Sequence, residues 1–415
     1  MPDPEKYPFP ASLKFIDKMR IAILAPSDPI DVAHSVVVPE PTAEPSAYRP
    51  DIEGLRAVAI TLVVLFHIGF PMLTGGFIGV DVFFVISGYV ITGLLMRERT
   101  RTGSTSLLDF YGRRVRRILP AATLVILCAT AAAYLLVGSG FGRQTANDGR
   151  WAAAFLVNVH FAFPGPHPFS ALGTFWSLAV EEQFYLVFPI LLVVVANVRS
   201  GPEFRTRLSI GLAIVIVASY ALCVVRTPSH PVWAYLLPFT RAWEFAFGAL
   251  IAVALVPSTR ISRHLAAVAT WIGLAVILGT AVNLKSTAGW PGWRAVVPVA
   301  ATGLVIAGGS SAGPFGATRV LGRSPFCWLG KRSYSLYLWH WPILLIAAES
   351  GVSGGLWRLR VPLVGFALVL SMVTYRLVEN PIRRWRLPGP YSVGLGVAMT
   401  AATIGVLSIM IKGHP

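Results

Sequence analysis

The sequence predicts an all-α membrane protein, a bundle of about eleven membrane-spanning helices with one short re-entrant helix. Composition predicts it first, because 55% of the 415 residues are hydrophobic, only 13% are charged, and the mean hydropathy is +0.65. Soluble domains are about half apolar and about one quarter charged. In addition, the apolar residues fall into repeated stretches of about 17 to 25 residues, the length of helix that crosses the hydrocarbon core of a bilayer.

The chain divides near residue 48. Residues 1–47 are rich in proline, alanine, serine and charged residues, a composition typical of disorder. Their one apolar run, Ile21 to Ala25, is too short to span a membrane or to form the core of a signal peptide. We therefore predict a disordered cytoplasmic tail over residues 1–47 and a membrane domain over residues 48–415.

Eleven apolar stretches of the membrane domain satisfy the length rule. They cover residues 55–73, 77–96, 118–138, 174–197, 208–226, 232–256, 265–282, 293–308, 333–350, 360–379 and 391–411. Arginines are concentrated after the even-numbered stretches, and positive charge marks cytoplasmic loops. The sequence thus predicts a cytoplasmic amino terminus and an outer carboxyl terminus. The same bias accounts for the net charge of +16 without a nucleic-acid partner, since no basic binding module is present.

Residues 151–163 are apolar but too short to cross a bilayer, and Pro164 and Pro166 follow them. We predict a re-entrant or interfacial helix here. At membrane depth such a segment must be buried in protein or line a cavity, because lipid cannot satisfy exposed backbone groups.

Neither a metal site nor a disulfide framework is indicated. The three cysteines, Cys128, Cys223 and Cys327, lie in or beside apolar stretches at unrelated spacings, as expected for core packing. The glycine-rich segment GGFIGVD, residues 75–81, lacks the Lys-Ser/Thr ending of a phosphate loop.

Ionisable residues inside the first two spans are the first functional candidates, because a charged group in a membrane helix is costly. Arg56 opens the first span, His67 lies inside it, and Asp81 lies near the start of the second. Arg56 and His67 are eleven positions apart, so a helix places them within about 20° of one face and about 16 Å apart along its axis. Such a stripe suits a substrate with an anionic head and a long, thin arm.

The segment RRVRRILP, residues 113–120, carries two pairs of arginines at a spacing of three. Arg113 with Arg116, and Arg114 with Arg117, share a helix face in each case. Arginine binds phosphate through a planar, bidentate fork, so these pairs are candidates for an anionic ligand. The alternative is that they act only as a topological signal that holds this end of the span in the cytoplasm.

Two adjacent carboxylates, Glu181 and Glu182, lie about two turns into the fourth span, within FWSLAVEEQFYLVFP. Neighbouring residues of a helix point about 100° apart, so we expect only one of them to face a cavity. That carboxylate could orient His67 or hold an acceptor hydroxyl. The alternative is a structural ion pair with Arg241 or with a neighbouring helix.

The remaining polar candidates lie in later spans. Arg241 and Glu244 are one turn apart in RAWEF, where they can contact a substrate or neutralise each other. In SYSLYLWHWP, Ser333, Tyr337 and His340 follow one helix face. The aromatic residues of this segment form either a platform for a sugar or a belt at the membrane boundary.

Seven segments between Tyr48 and Trp385 together resemble the bacterial membrane-bound acyltransferase-3 family, whose members are O-acyltransferases of sugars. The segments are RPDIEGLRAVA, the His67 that follows it, GVDVFFVISGY, FYGRRVRRILP, FWSLAVEEQFY, YSLYLWHWP and VENP. The resemblance implies transfer of an acyl group, often acetyl, from cytoplasmic acyl-CoA to a hydroxyl. The acceptor would be a sugar, a cell-envelope glycan or a glycosylated metabolite, and the location the bacterial plasma membrane.

The resemblance also implies roles for the candidate residues. His67 would act as general base or carry the acyl group, and a carboxylate, Glu181 or Glu182, would orient it or the acceptor. Residues expected to hold acyl-CoA, a co-substrate and not a tightly bound cofactor, are Arg56, Arg113, Arg114, Arg116 and Arg117. Residues expected to contact the acceptor are Asp81, Arg241, Glu244, Tyr337 and His340. No metal is implied.

Many relatives of that family carry an outer hydrolase-like domain, and the sequence shows none after Ile411. We therefore expect a protein that acts alone or passes the acyl group to a separate outer partner. Two other functions fit the same composition. A transporter or flippase of a glycolipid would move its substrate without covalent change, and a membrane scaffold would tolerate His67→Ala.

Overall fold

The computed structural model describes residues 48–163, 170–198, 202–254, 262–285, 289–352 and 354–413. Over these ranges the secondary structure is helical, without a strand, which confirms the all-α fold class. The helices are α1 Pro50–His67, α2 Gly79–Thr102, α3 Leu107–Leu136, α4 Ser139–Ala153, α5 Val157–Ala162, α6 Phe175–Val198, α7 Pro202–Ser229, α8 Pro231–Leu236, α9 Ala242–Ala254, α10 Arg263–Asn283, α11 Val296–Gly309, α12 Thr318–Leu321, α13 Ser324–Glu349, α14 Val361–Thr374, α15 Asn380–Arg383 and α16 Gly389–Gly413. The predicted tail over residues 1–47 lies outside the described residues.

Each predicted span coincides with helical structure. In the described part of the chain, seven helices are long and apolar enough to cross a membrane. They are Gly76–Thr102, Leu107–Leu136, Phe175–Ala196, Glu203–Ser229, Arg263–Asn283, Leu356–Arg383 and Gly389–Gly413. The other four predicted spans coincide with α1 and α13, which carry charged residues, and with the shorter apolar helices α9 and α11. The chain is a multi-pass membrane protein, and the orientation of its termini stays a prediction.

Two boundaries differ from the prediction in ways that matter for the site. Helix α3 begins at Leu107, so the arginine cluster 113–117 lies within its first turns and not in a loop before it. The predicted span 232–256 is broken, because α8 ends at Leu236 and a 3₁₀ turn covers Pro238–Thr240 before α9 begins. Proline lacks a backbone N–H and keeps the residue before it out of the helical region, which explains the break.

Residues 151–163 do not form one helix, contrary to the prediction. They contain the end of α4 and the whole of α5, separated by Phe155, whose φ is +53°. A buried amide network holds this turn: Gln183 Nε2 donates to Phe155 O (2.8 Å) and to Asn158 Oδ1 (2.8 Å). Asn158 Nδ2 in turn donates to Leu236 O (3.1 Å). The segment is packed within protein, as a re-entrant structure requires.

Helix α1 lies at the centre of the bundle, against α2 and α13. Glycine makes the contact with α13 possible, since a Cβ on Gly330 would lie 1.9 Å from Glu53 O. Helices α2 and α9 approach equally closely, because a Cβ on Gly88 would lie 1.9 Å from Phe245 O. Small residues at such crossings let membrane helices gain van der Waals contact. The same crossings bring the polar residues of α1, α2 and α13 close together.

Candidate active site

A central cavity of ≈ 780 Å³ lies between α1, α2, α3, α6 and α13. Its walls bring together three guanidinium groups, one carboxylate, three hydroxyl-bearing serines and several aromatic rings. The polar and aromatic residues that line it are Arg56, Phe83, Phe84, Ser87, Arg114, Arg117, Ser177, Glu181, Tyr185, Ser333, Tyr334 and Tyr337. The sequence-predicted candidates Arg56, Glu181 and Tyr337 thus share one cavity, although they lie far apart in the chain.

The four arginines of α3 separate into two pairs, and only Arg114 and Arg117 line the cavity. Arg113 is exposed and its Nη2 donates to Glu98 Oε2 at 2.6 Å. Arg116 is buried, and its Nη1 donates to Leu387 O (2.9 Å) and to the Ser392 hydroxyl. The structure therefore corrects the prediction that all four arginines hold the same ligand. Neighbouring positions of a helix differ by about 100°, so the two pairs face different surroundings.

The cavity arginines keep donors available. In the part of the chain that the structure describes, neither Arg114 nor Arg117 has a carboxylate oxygen within 4.0 Å. Arg56 has one, Glu53 Oε2, at 3.8 Å. The Arg114 guanidinium lies 4.6 Å from the centre of the Tyr185 ring, a contact that orients the group without using its N–H donors. Three cationic groups with unused donors form a ready site for an anion.

Of the two adjacent glutamates, Glu181 lines the cavity and Glu182 does not. Glu181 Oε1 accepts hydrogen bonds from Ser87 Oγ (2.5 Å) and from the Tyr185 hydroxyl. Glu182 Oε1 is buried without a hydrogen-bond partner among the described residues. Helical geometry predicted that only one of the two glutamates would face the cavity. The alternative, an ion pair between a glutamate of this pair and Arg241, is wrong because Arg241 is bound elsewhere.

His67 is hydrogen-bonded to a second histidine. Its Nδ1 lies 3.0 Å from Nε2 of the buried His340, and His340 Nδ1 lies 3.1 Å from Leu336 O. A carbonyl oxygen can only accept, so His340 Nδ1 carries the proton and His340 Nε2 is the acceptor. His67 Nδ1 must then donate, which leaves His67 Nε2 with a free lone pair. The arrangement gives His67 the tautomer that a general base needs.

This partner was not foreseen. The sequence suggested that Glu181 or Glu182 would orient His67, whereas the structure places His340 there and Glu181 beside Ser87 and Tyr185. His340 was predicted instead to contact the acceptor. The available signal was that both histidines lie inside apolar spans, but sequence spacing cannot show that two residues 273 positions apart touch.

His67 lines a second cavity of ≈ 1080 Å³, together with Trp341, Arg360 and mainly apolar residues of α13 and of the segment that leads into α14. A series of ring contacts joins the two cavities. Tyr337 lies in the wall of the central cavity, its ring centre is 5.5 Å from that of His340, and the His340 ring is 5.1 Å from that of His67. Arg56 and His67, expected on one continuous stripe of α1, therefore lie at different cavities on either side of this partition.

Asp81, Arg241 and Glu244 form a buried ion cluster. Arg241 Nη2 lies 2.9 Å from Asp81 Oδ1, and Nη1 lies 3.1 Å from Glu244 Oε1. The three side chains are at most 1% exposed, and none of them lines the central cavity. This matches the interpretation in which Arg241 and Glu244 neutralise each other. The prediction that these three residues contact the acceptor is not supported, because they do not line the central cavity. Tyr337, by contrast, faces the cavity and is fixed by hydrogen bonds with Ser177 Oγ (2.6 Å) and Thr174 O (3.0 Å).

One polar residue near the cavity was missed. Glu379 is buried and its Oε2 accepts a hydrogen bond from Ser335 Oγ at 2.6 Å. Arg117 and Arg56 lie within electrostatic range of this carboxyl group. In the sequence VENP stood out only as one segment of the family resemblance, but Glu379 closes a π-helical turn over Tyr375–Glu379, a local geometry that is frequent at functional sites.

Residues 49–376 match the family model described as an acyltransferase domain, of the acyltransferase-3 type. The chain is 30% identical over 355 residues to the peptidoglycan O-acetyltransferase OatA of Listeria monocytogenes, with 81% of this chain and 56% of that protein covered. It is 31% identical over 359 residues to the O-acetyltransferase OatA of Staphylococcus aureus, with 81% and 57% covered. The putative peptidoglycan O-acetyltransferase YrhL of Bacillus subtilis is 28% identical over 356 residues, with 81% and 55% covered.

The chain thus spans little more than half the length of these relatives. No solved structure matches it.

Proposed function

Since the chain belongs to the acyltransferase-3 family over residues 49–376, we propose that it is a membrane O-acetyltransferase that moves an acetyl group from acetyl-CoA to a hydroxyl of a cell-envelope glycan. The observation that carries the proposal is the hydrogen-bonded pair of His67 and His340 between an arginine-rich cavity and a second cavity that His67 lines. The names of the relatives suggest the acetyl group and the glycan.

The central cavity is the proposed donor site. Arg114 and Arg117 would hold the phosphates of coenzyme A, because guanidinium forks match phosphate oxygens and both side chains keep free donors. Arg56 would bind the next part of the molecule. From there the pantetheine arm would run along α1 for about 16 Å, the rise between Arg56 and His67, and bring the thioester to the partition between the cavities.

His67 is the proposed general base. Its Nε2 would take the proton of the acceptor hydroxyl as that oxygen attacks the thioester carbonyl and forms the new C–O bond. The C–S bond then breaks, and the leaving thiolate takes the proton from the His67 imidazolium. The imidazole is regenerated, and the products are the O-acetyl ester and free coenzyme A. His340 is a positioning residue in this scheme, since it acts only through His67.

Glu181 would organise the donor cavity and not the imidazole. It accepts hydrogen bonds from Ser87 and Tyr185, and the Tyr185 ring lies against Arg114. Its negative charge also balances part of the positive charge of the cavity when the donor is absent.

The test is acetyl transfer by the purified chain in lipid nanodiscs. Radiolabelled acetyl-CoA would be incubated with the protein and solubilised glycan, and the loss of thioester and the label on glycan or protein would be measured. The variant His67→Ala and the exposed-residue control Arg113→Gln would be assayed in parallel. We expect transfer that falls by about 10²-fold or more in His67→Ala and is unchanged in the control. Label retained on the wild-type protein but absent from His67→Ala would identify His67 as an acyl carrier. No thioester loss with any acceptor, together with movement of a glycolipid across vesicles, would replace the proposal by a transporter.

A further inference from the structure

Among the described residues that line the second cavity, one is an arginine or lysine, Arg360, and it lies next to the candidate base. Resting on the function proposed above, we infer that this cavity is the acceptor site and that Arg360 selects hydroxyl-bearing saccharides that carry an anionic group, a carboxylate or a phosphate.

Arg360 is anchored close to His67. Its Nη1 donates to Ile68 O at 3.0 Å, the carbonyl of the residue that follows His67. A Cβ on Gly69 would lie only 2.8 Å from the same nitrogen, so glycine at this position leaves room for the guanidinium. The charge is therefore fixed beside the end of α1, while both Arg360 and His67 line the cavity.

The guanidinium has capacity for a ligand. Arginine carries five N–H donors, and among the described residues one bond of Arg360 is to protein, the bond to Ile68 O. Within the same ranges, no carboxylate oxygen lies within 4.0 Å of it. The rest of the wall is largely apolar and includes Leu344, Leu345, Leu359 and Leu363. Arg360 itself is exposed, so its unused donors can be reached by a ligand, and a charged donor group favours an anionic partner over a neutral one.

The cavity that His67 lines is the reason for placing the acceptor on this side of the partition. His67 Nδ1 is used by His340, so Nε2 is the nitrogen left for chemistry, and His67 lines the second cavity but not the central one. A hydroxyl must reach Nε2 to lose its proton. The three arginines of the central cavity, in turn, are separated from Arg360 by the series Tyr337, His340 and His67, so donor and acceptor anions would not compete for one site.

The experiment compares acceptors built on one sugar, with and without an anionic substituent. Steady-state acetyl transfer by the full chain in nanodiscs would be measured with N-acetylglucosamine, N-acetylmuramic acid and N-acetylglucosamine 1-phosphate. The first is neutral, the second adds a carboxylate, and the third adds a phosphate. The variants are Arg360→Gln, Arg360→Lys and, as matched control, Arg358→Gln, an exposed arginine of the same helical turn that does not line the cavity.

For the wild-type protein we expect the KM of at least one charged sugar to be about 10-fold lower than that of the neutral sugar. Arg360→Gln should remove this difference in KM between charged and neutral sugars while the KM for acetyl-CoA stays unchanged, and Arg360→Lys should keep part of it. Arg358→Gln should behave as wild type. The sugar with the lower KM, N-acetylmuramic acid or N-acetylglucosamine 1-phosphate, shows whether the site prefers a carboxylate or a phosphate.

Equal losses with neutral and charged sugars in Arg360→Gln, or a higher KM for acetyl-CoA, would overturn the inference. So would a wild-type enzyme without preference for charge. If the wild-type chain transfers no acetyl group at all, the proposed function fails, and calorimetric binding of the same three sugars still decides the site. Charged sugars that bind wild type and Arg358→Gln but not Arg360→Gln would support it, and equal binding to all variants would refute it.

Discussion

The imidazoles of His67 and His340 are hydrogen-bonded through Nδ1 of the first and Nε2 of the second, 3.0 Å apart, and His340 is held in turn by Leu336 O. A neutral ring here does what a carboxylate does in many acid–base sites: it fixes the tautomer and orientation of the neighbouring imidazole, that of His67, the proposed base. Within a membrane the choice has a physical reason. A buried carboxylate would need a compensating charge, whereas a backbone carbonyl and two neutral rings require none until His67 takes up a proton.

This relationship makes His340 testable as a positioning residue. His340→Phe should lower kcat by about 10- to 100-fold, because His67 Nδ1 loses its acceptor and both tautomers become populated. The KM for acetyl-CoA should not change, since His340 does not line the donor cavity. The measurement is steady-state acetyl transfer.

His340→Gln supplies the control, because its amide oxygen can accept from His67 Nδ1. We expect it to retain more activity than His340→Phe at equal folding yield. Equal losses in the two variants would show that the ring serves packing alone.

The buried cluster of Asp81, Arg241 and Glu244 should act on stability and not on substrate binding. Arg241→Leu leaves two buried carboxylates without their cation, and breaking such a cluster costs about 3–5 kcal/mol. We expect a large fall in the thermal unfolding midpoint in detergent. A double change, Arg241→Leu with Glu244→Leu, should recover part of that fall, because one unpaired charge is removed.

In whatever fraction of the Arg241 variants folds, the KM for the acceptor should equal that of wild type. A raised acceptor KM at unchanged thermal stability would restore the prediction, made from the sequence, that these residues contact the substrate.

The fold was predictable because each helix is encoded locally. Apolar length identified the spans, and proline together with charge marked most of their ends. The break at Pro238 and the turn at Phe155 were not predicted, because the spans were identified by hydropathy. Both lie within continuous apolar stretches, where hydropathy cannot tell one helix from two short ones.

The candidate site was predictable by residue type but not by grouping. Charge inside a span selected Arg56, His67, Glu181 and the arginines of α3. Which arginine pair faces the cavity depends on the rotation of α3 about its axis, and that is set by packing against neighbouring helices. The contact between His67 and His340 depends on α13 crossing α1, which Gly330 permits and which no local pattern reveals.

The adjacent glutamates should respond differently to loss of the carboxylate. Glu181→Leu leaves the hydroxyls of Ser87 and Tyr185 buried without their acceptor, at a cost of about 1–3 kcal/mol, and disturbs the ring against Arg114. Thermal stability should fall and the KM for acetyl-CoA should rise. Glu182→Leu removes an oxygen that has no hydrogen-bond partner in the described structure, so stability should stay the same or increase. The reverse order, with Glu182→Leu the more damaging, would place the functional carboxylate at residue 182.

The division of the arginine cluster gives the sharpest test of the donor site, because the four residues lie on one helix within five positions. Arg114→Gln and Arg117→Gln should each raise the Kd for coenzyme A by about 10-fold, the loss expected for one charge-assisted hydrogen bond. Arg113→Gln should leave the Kd unchanged, since that side chain is paired with Glu98 on the exposed face. Titration calorimetry in nanodiscs with coenzyme A measures these constants without need of an acceptor. Raising the salt concentration should weaken binding to wild type and to Arg113→Gln more than to Arg114→Gln or Arg117→Gln, because each of the latter lacks one phosphate contact. If the Kd for coenzyme A increased equally in all variants, Arg113→Gln included, the cluster would attract the donor only by its total charge. The cavity would then not be the donor site.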